Sequence, residues 1–130
     1  MDAAQALADL TEISSQIEAA VLFDESGSVQ GSTLTSDEAA QAFARSASEL
    51  LGSAGAFRSA EGNVTQLEAS TAEGSVFVVR DGARRIAATT GPAPTVGLVF
   101  YDLKSCLRNA DGEPPETPKP TRRKKPADEA

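Results

Sequence analysis

The chain has 130 residues, of which 40% are hydrophobic, so it is long enough and apolar enough for one domain with a buried core. It contains no histidine and one cysteine, Cys106, which excludes an internal disulfide and a thiolate zinc cluster and argues against an enzyme. The net charge of −7 disfavours binding of nucleic acid by the folded domain.

The beginning of the chain carries no targeting signal that we can identify. Met1-Asp2-Ala3-Ala4 lacks the basic and apolar regions of a secretory signal, and no apolar run is long enough to span a bilayer. We therefore expect a cytoplasmic protein without a membrane span. Residues 3–17 then place Leu7, Leu10, Ile13 and Ile17 at steps of three and four, which predicts a helix with one narrow apolar stripe.

A β-hairpin is predicted to follow the first helix. The apolar run at residues 19–24 ends at the turn signal Glu25-Ser26-Gly27, and the more polar residues 28–34 form the returning strand. The polar character of this second strand places it near an edge of the sheet. Asp24 and Glu25 at the hairpin tip are interpreted as solvated turn residues rather than as a metal site.

The next helix is long and has two different apolar stripes. Thr35 and Glu38 have the spacing of a capping box, and the helix extends to about residue 57. A bulky stripe that includes Phe43 and Leu50 is expected to fill the core against a sheet. A stripe of mostly small residues is expected to stay exposed and let another backbone approach: it comprises Ala40, Ala44, Ala47, Leu51 and Gly55.

Three strands and a last helix complete the folded part. Residues 63–70 alternate as a half-exposed edge strand, and residues 76–80 and 84–90 form a hairpin around Asp81-Gly82. Residues 95–110 favour a helix by periodicity, with a strand over residues 96–101 as the alternative. The predicted fold is α+β: a sandwich with the order helix-strand-strand-helix-strand-strand-strand-helix, in which helices cover both faces of a five-stranded, mainly antiparallel sheet.

The last twenty residues have a different composition. Residues 111–130 contain five prolines and no large apolar side chain, so they are predicted to be a disordered tail after a domain of residues 1–110. Four consecutive bases, Arg122 to Lys125, could contact an acidic partner, although such a run more often only keeps a tail soluble.

No residue pattern in the chain predicts catalysis, a metal site or a bound cofactor. Arg80, Arg84 and Arg85 flank a tight turn and could act as an arginine finger, but a solvated hairpin end is the favoured interpretation. Cys106 lies at a core-like helical position and is interpreted as an inert, buried thiol.

Several segments resemble the roadblock family of dynein light-chain and LAMTOR-type domains. They are AAVLFDESGSV, the alanine-rich helix that begins near Ser36, GSVFVVRDGARRIAATT and GLVFYDLKSCLR, which together cover about residues 3–109. The resemblance implies a profilin-like, non-catalytic platform that dimerises through its long second helix and third strand. It also implies a small Ras-like GTPase as partner, or a scaffold in a signalling or motor-type complex that binds regardless of nucleotide.

These expectations assign two sets of residues. The predicted homodimer interface comprises Ala40, Ala44, Ala47, Leu51, Gly55, Thr65 and Leu67. The candidate contacts with a GTPase are Gln41, Arg45, Ser48 and Glu49 on the same long helix, for each of which a merely wetted helix face is the competing interpretation. The adaptor interpretation depends on the small-residue stripe being exposed.

Overall fold

A computed structural model describes residues 2–56 and 64–110. The elements are α1 (Ala3–Ile13), β1 (Ile17–Asp24), β2 (Val29–Ser32), α2 (Asp37–Gly55), β3 (Gln66–Thr71), β4 (Gly74–Asp81), β5 (Arg84–Thr90) and α3 (Val96–Asn109). Within these residues, no helix combines the length and apolar character that crossing a membrane requires. The predicted tail, residues 111–130, lies outside the described residues.

The five strands form one antiparallel sheet in the order β2-β1-β5-β4-β3. This arrangement confirms the predicted α+β class, the order of the elements and the position of β2 and β3 at the two edges. The β4–β5 hairpin closes with Asp81 opposite Arg84, and Gly82 takes the left-handed conformation that the tight turn requires.

Local signals explain where the helices begin and end. The Asp2 carboxylate accepts a hydrogen bond from the Gln5 backbone N–H at 2.8 Å, and Ser36 Oγ accepts one from Ala39 N–H at 3.1 Å. The N-cap of α2 is therefore Ser36, and the predicted capping box from Thr35 is wrong by one residue. The first helix also ends earlier than predicted: Ile17 pairs with Thr90 in the sheet instead of continuing the helix.

The alternative strand prediction for residues 96–101 is wrong, because these residues begin α3.

Both α1 and α3 pack on one face of the sheet, with α1 over β1 and β2 and α3 over β4 and β5. The rings of Phe77 on β4 and Phe100 on α3 meet edge to face, with centroids 5.0 Å apart. This two-helix layer buries the larger of the two apolar clusters.

In the part of the chain that the structure describes, α2 is the helix that covers the opposite face of the sheet, through its small-residue stripe. Ala40, Ala44 and Ala47 are at most 2% exposed and pack with side chains from three strands, among them Val21 and Phe23. The prediction that this stripe is a free surface is therefore wrong, so the stripe gives no support to the adaptor interpretation, which has to rest on other surfaces of the chain. The side chains of the sheet already supply most of the volume of this cluster. Small side chains on α2 let the helix approach the sheet closely, because larger ones would overpack the contact.

The same orientation moves the bulky stripe of α2 to the margin of the contact with the sheet. Phe43 is half-buried and packs at the edge of this cluster, and Leu50 is 37% exposed, so neither lies inside the core as predicted. The part of the bulky stripe at Phe57 lies outside the described residues. The two stripes share Ala47, so a modest rotation of the helix is enough to exchange their roles.

One helix cannot cover five strands. Strands lie about 4.8 Å apart and a helix is about 10 Å wide, so α2 spans two or three of them. It lies mainly on β2, β1 and β5, which leaves its side of β3 and β4 only partly covered. Val64, Leu67 and Val76 are correspondingly half-buried at this end.

Replacing Ala44 by leucine tests the orientation of α2. Ala44 is fully buried against the sheet, so the added side chain should lower the free energy of unfolding by about 1–3 kcal/mol in urea denaturation. Ala42→Leu is the matched control, because Ala42 is exposed on the same helix and the change should be close to neutral. Equal effects at the two positions would contradict the packing described.

Candidate functional site

The turn between β1 and β2 is held by the carboxylate of Asp24. Asp24 Oδ1 accepts hydrogen bonds from Ser26 Oγ at 2.6 Å, Ser26 N–H at 2.9 Å and Ser28 N–H at 3.0 Å. These bonds, that from the Ser26 hydroxyl above all, lower the pKa of Asp24. Gly27 has a φ of +90° at the tip. Asp24 therefore shapes the loop and keeps its charge while doing so.

An open cleft of ≈440 Å³ separates this turn from α2. One wall is the turn itself, residues 25–29, and the other consists of Gln41, Arg45 and Ser48. Three of the four predicted GTPase contacts thus line one cleft. The fourth, Glu49, is exposed on α2 but does not line the cleft.

Sequence reasoning missed the turn as the second wall of this cleft. The spacing of Gln41, Arg45 and Ser48 placed them on one helix face, but nothing in the sequence indicated which loop they would oppose. The sequence feature that marks this wall is the Asp24-Glu25-Ser26-Gly27 turn, whose acids the sequence analysis interprets only as solvated turn residues.

The cleft offers polar recognition. Its lining provides hydrogen-bond donors, hydrogen-bond acceptors and charges of both signs. These groups are the hydroxyls of Ser26, Ser28 and Ser48, the Gln41 amide, the Arg45 guanidinium and the Glu25 carboxylate. Among residues 2–56 and 64–110, no three His, Cys, Asp or Glu side chains gather as a metal site would require. The arrangement is suited to binding a polar loop of another macromolecule.

The arginines at the β4–β5 hairpin have local structural contacts. The Arg84 guanidinium donates a hydrogen bond to the Ala110 carbonyl and so ties the hairpin to the end of α3. Arg85 Nη1 donates to the Ala83 carbonyl at 3.0 Å. Desolvation, together with the positive charge of Arg80, lowers the pKa of Arg85. These contacts favour the structural interpretation over an arginine finger.

The predicted dimer residues do not form one surface. Ala40, Ala44, Ala47 and Leu51 are inside the subunit. The other three remain accessible: Thr65 is exposed, and Leu67 and Gly55 are half-buried. The structure adds Leu50, which is 37% exposed, and Phe43, which is half-buried at the margin of the apolar cluster under α2. Sequence analysis assigned these two to the core because their size suited a core, whereas the sheet needed small partners.

Cys106 lies between α3 and α1, where its Sγ approaches the Ala6 carbonyl oxygen at 3.5 Å. Only 4% of the residue is exposed. Burial, with a smaller contribution from the Asp9 carboxylate, raises the pKa of the Cys106 thiol to about 11. The thiol therefore stays protonated near neutral pH, as expected of an inert core cysteine.

Comparison with known proteins identifies the fold. No protein-family model matches the sequence, and no curated protein matches it. The fold is similar to that of a roadblock/LC7 domain from Streptomyces avermitilis, with a TM-score of 0.75 at 20% identity over 85% of this chain and 96% of the other. The chain therefore has the roadblock/LC7 fold, and the resemblance predicted from the sequence is confirmed at that level.

Two other similar structures are of MglB proteins. The gliding protein MglB of Thermus thermophilus gives a TM-score of 0.69 at 12% identity, covering 83% of this chain and 84% of that one. An MglB structure described as having a tetrameric arrangement gives 0.63 at 14% identity, over 83% and 84% of the two chains.

The raised pKa of Cys106 predicts how stability depends on pH. The folded state holds the thiol proton more tightly than the unfolded chain, whose reference pKa is 9.0. The resulting stabilisation is complete below about pH 9 and is lost as pH rises through 11. Relative to Cys106→Ala, the wild-type free energy of unfolding should fall by roughly 1–3 kcal/mol over this interval in urea titrations. Parallel pH profiles of the two proteins would contradict the assignment.

Proposed function

We propose that this protein is a non-catalytic homodimeric regulator or adaptor that binds a small Ras-like GTPase and modulates its GTP hydrolysis. The observation that carries the proposal is the cleft in which Gln41, Arg45 and Ser48 face the β1–β2 turn on a roadblock/LC7 fold. The family resemblance supplies the class of partner, and the polar lining is compatible with recognition of a mobile, polar switch loop.

The cleft is suited to changing the rate of GTP hydrolysis indirectly, by ordering catalytic groups that belong to the GTPase. GTPase switch segments pass between ordered and disordered arrangements, and a protein that holds one arrangement changes the rate of hydrolysis without supplying a nucleophile. The cleft contains one cation, Arg45, and one acid, Glu25, each able to pair with a charge on a loop. We therefore infer an ordering role for these side chains.

The proposed dimer uses the open end of the sheet. Within the described part of the chain, β3 has an unpaired edge, and Leu67, Val64 and Val76 beside it are only half-buried. Pairing of two β3 strands about a two-fold axis would bring the side of each α2 that carries Phe43 and Leu50 toward the partly covered strands of the other subunit. The tetrameric arrangement of an MglB with a similar fold supports self-association.

A charge at Leu50 should separate the subunits. Leu50→Asp places a carboxylate in the proposed apolar contact, so multi-angle light scattering at micromolar concentration should change from a dimer mass to a monomer mass. Leu98→Asp is the control, because Leu98 is exposed to a similar extent on α3, on the opposite layer. A monomeric wild-type protein at that concentration would remove the basis for this part of the proposal.

Binding of GTPases tests the partner. Small Ras-like GTPases of the same organism, loaded with a non-hydrolysable GTP analogue or with GDP, would be retained on immobilised protein. We expect retention to depend on the triphosphate and to fall at least about fivefold in Arg45→Ala. Arg108→Ala serves as control, since Arg108 is exposed on α3 away from the cleft.

The outcomes separate the two candidate functions. Retention that does not depend on the nucleotide would support the scaffold in place of the GTPase regulator. Equal losses in Arg45→Ala and Arg108→Ala would show that the cleft is not the contact.

A further inference from the structure

We propose that the groove between α1 and α3 is a second binding surface, which takes a short, positively charged amphipathic helix of a partner protein. It lies on the opposite layer from the α2 cleft and from the proposed dimer contact. The inference is therefore independent of the proposed function.

The two helices run antiparallel and leave a groove between them. The Gln16 side chain, just after α1, accepts a hydrogen bond from the Thr95 N–H before α3 at 2.7 Å, while Ala6 meets Cys106 at the other end. The groove has a volume of ≈220 Å³. Its lining is Ala6, Asp9, Leu10, Ile13, Tyr101, Asp102, Ser105, Cys106 and Asn109.

Exposed apolar side chains concentrate at this groove. Five large hydrophobic residues are exposed among those that the structure describes, and all but Leu50 lie at the end of α1 or the start of α3. Ile13 is 73% exposed and Tyr101 64% exposed, and both line the groove. Leu98 precedes Tyr101 by three residues and so extends the same helix face by one turn. A single exposed apolar residue is ordinary, but a cluster that borders a groove is typical of a docking surface.

The charge of the groove selects its occupant. Asp9 lines it and is half-buried, and Glu12 is exposed one helical turn further along α1. Asp102 also lines the groove but is buried, with 7% of the residue exposed, and no cation is among the described residues that form the lining. The bases of α3, Lys104 and Arg108, line a different cavity on the other side of that helix. A partner must therefore combine apolar side chains with Lys or Arg, so that it covers Ile13 and Tyr101 while its cations meet the carboxylates of Asp9 and Glu12.

A helix fits this surface better than a second copy of the chain does. The ridges of two antiparallel helices leave a furrow that accepts the apolar face of a third helix, with anchors every three or four residues. Two copies meeting through this groove would place Asp9 and Glu12 of one against those of the other, since a two-fold contact is self-complementary. The like charges would oppose that pairing.

The test uses the full chain and a panel of labelled synthetic helices of about 16 residues, with leucine at helical spacing and lysine on both flanks. We expect micromolar binding by fluorescence anisotropy. Ile13→Ser and Tyr101→Ser should each weaken it at least about fivefold, while Ala42→Ser, on α2 away from the groove, changes it less than about twofold. All three side chains are exposed, so the variants should keep the fold, which circular dichroism checks.

Two further measurements sharpen the test. Replacing the peptide lysines by glutamate should weaken binding at least about tenfold if Asp9 and Glu12 contribute as described. Bound peptide should also change the fluorescence of Tyr101, the single tyrosine of the sequence, because its ring lines the groove.

Several results would overturn the proposal. They are no binding by any peptide at about 1 mM, equal binding of the glutamate series, or equal losses in Ala42→Ser and Tyr101→Ser. A concentration-dependent mass increase that Tyr101→Ser abolishes would assign the groove to a second copy. Tyr101-dependent binding to phosphatidylcholine vesicles would assign it to a membrane. Peptide affinity that rises when Arg122, Arg123, Lys124 and Lys125 are all changed to glutamine would assign it to the chain's own tail.

Discussion

The contact between the alanines of α2 and the sheet is the constraint on which the rest of the structure depends. Ala40, Ala44 and Ala47 bring the helix against a sheet face whose own side chains, Phe23 and Val21 among them, supply the volume. Close packing of this kind fixes the rotation of the helix, since a larger side chain would have no space. Once that rotation is fixed, the exposure of Leu50 and Arg45 and the half-burial of Phe43 follow.

The unequal number of helices on the two faces determines where surfaces remain for partners. Among residues 2–56 and 64–110, two helices cover one face of the five-stranded sheet and one helix covers the other, mainly over β2, β1 and β5. The partly covered end at β3 and β4 and the cleft beside the β1–β2 turn both belong to the one-helix side. The two-helix side has a different opening, the acidic groove between α1 and α3. The molecule thus has separate surfaces with different chemistry.

Several side chains that suggested chemistry hold the fold instead. Asp24 accepts three hydrogen bonds within its own turn, and Arg84 anchors the end of α3 through the Ala110 carbonyl. Cys106 is buried, with a raised pKa that keeps its thiol protonated. In each case a charged or reactive group stabilises a loop or a helix layer. Polar groups that remain available for binding line the cleft beside α2.

The sequence by itself determined the elements and their order, because these depend on local signals. Asp2 and Ser36 cap helices, Asp81-Gly82 permits only a tight turn, and the polar character of β2 and β3 placed them at the sheet edges. The resemblance to roadblock domains pointed to the same fold. Only the tertiary structure decided which stripe of α2 faces inward. Both stripes are apolar at helical spacing, and the choice depends on the volume that the sheet, a distant part of the chain, has already filled.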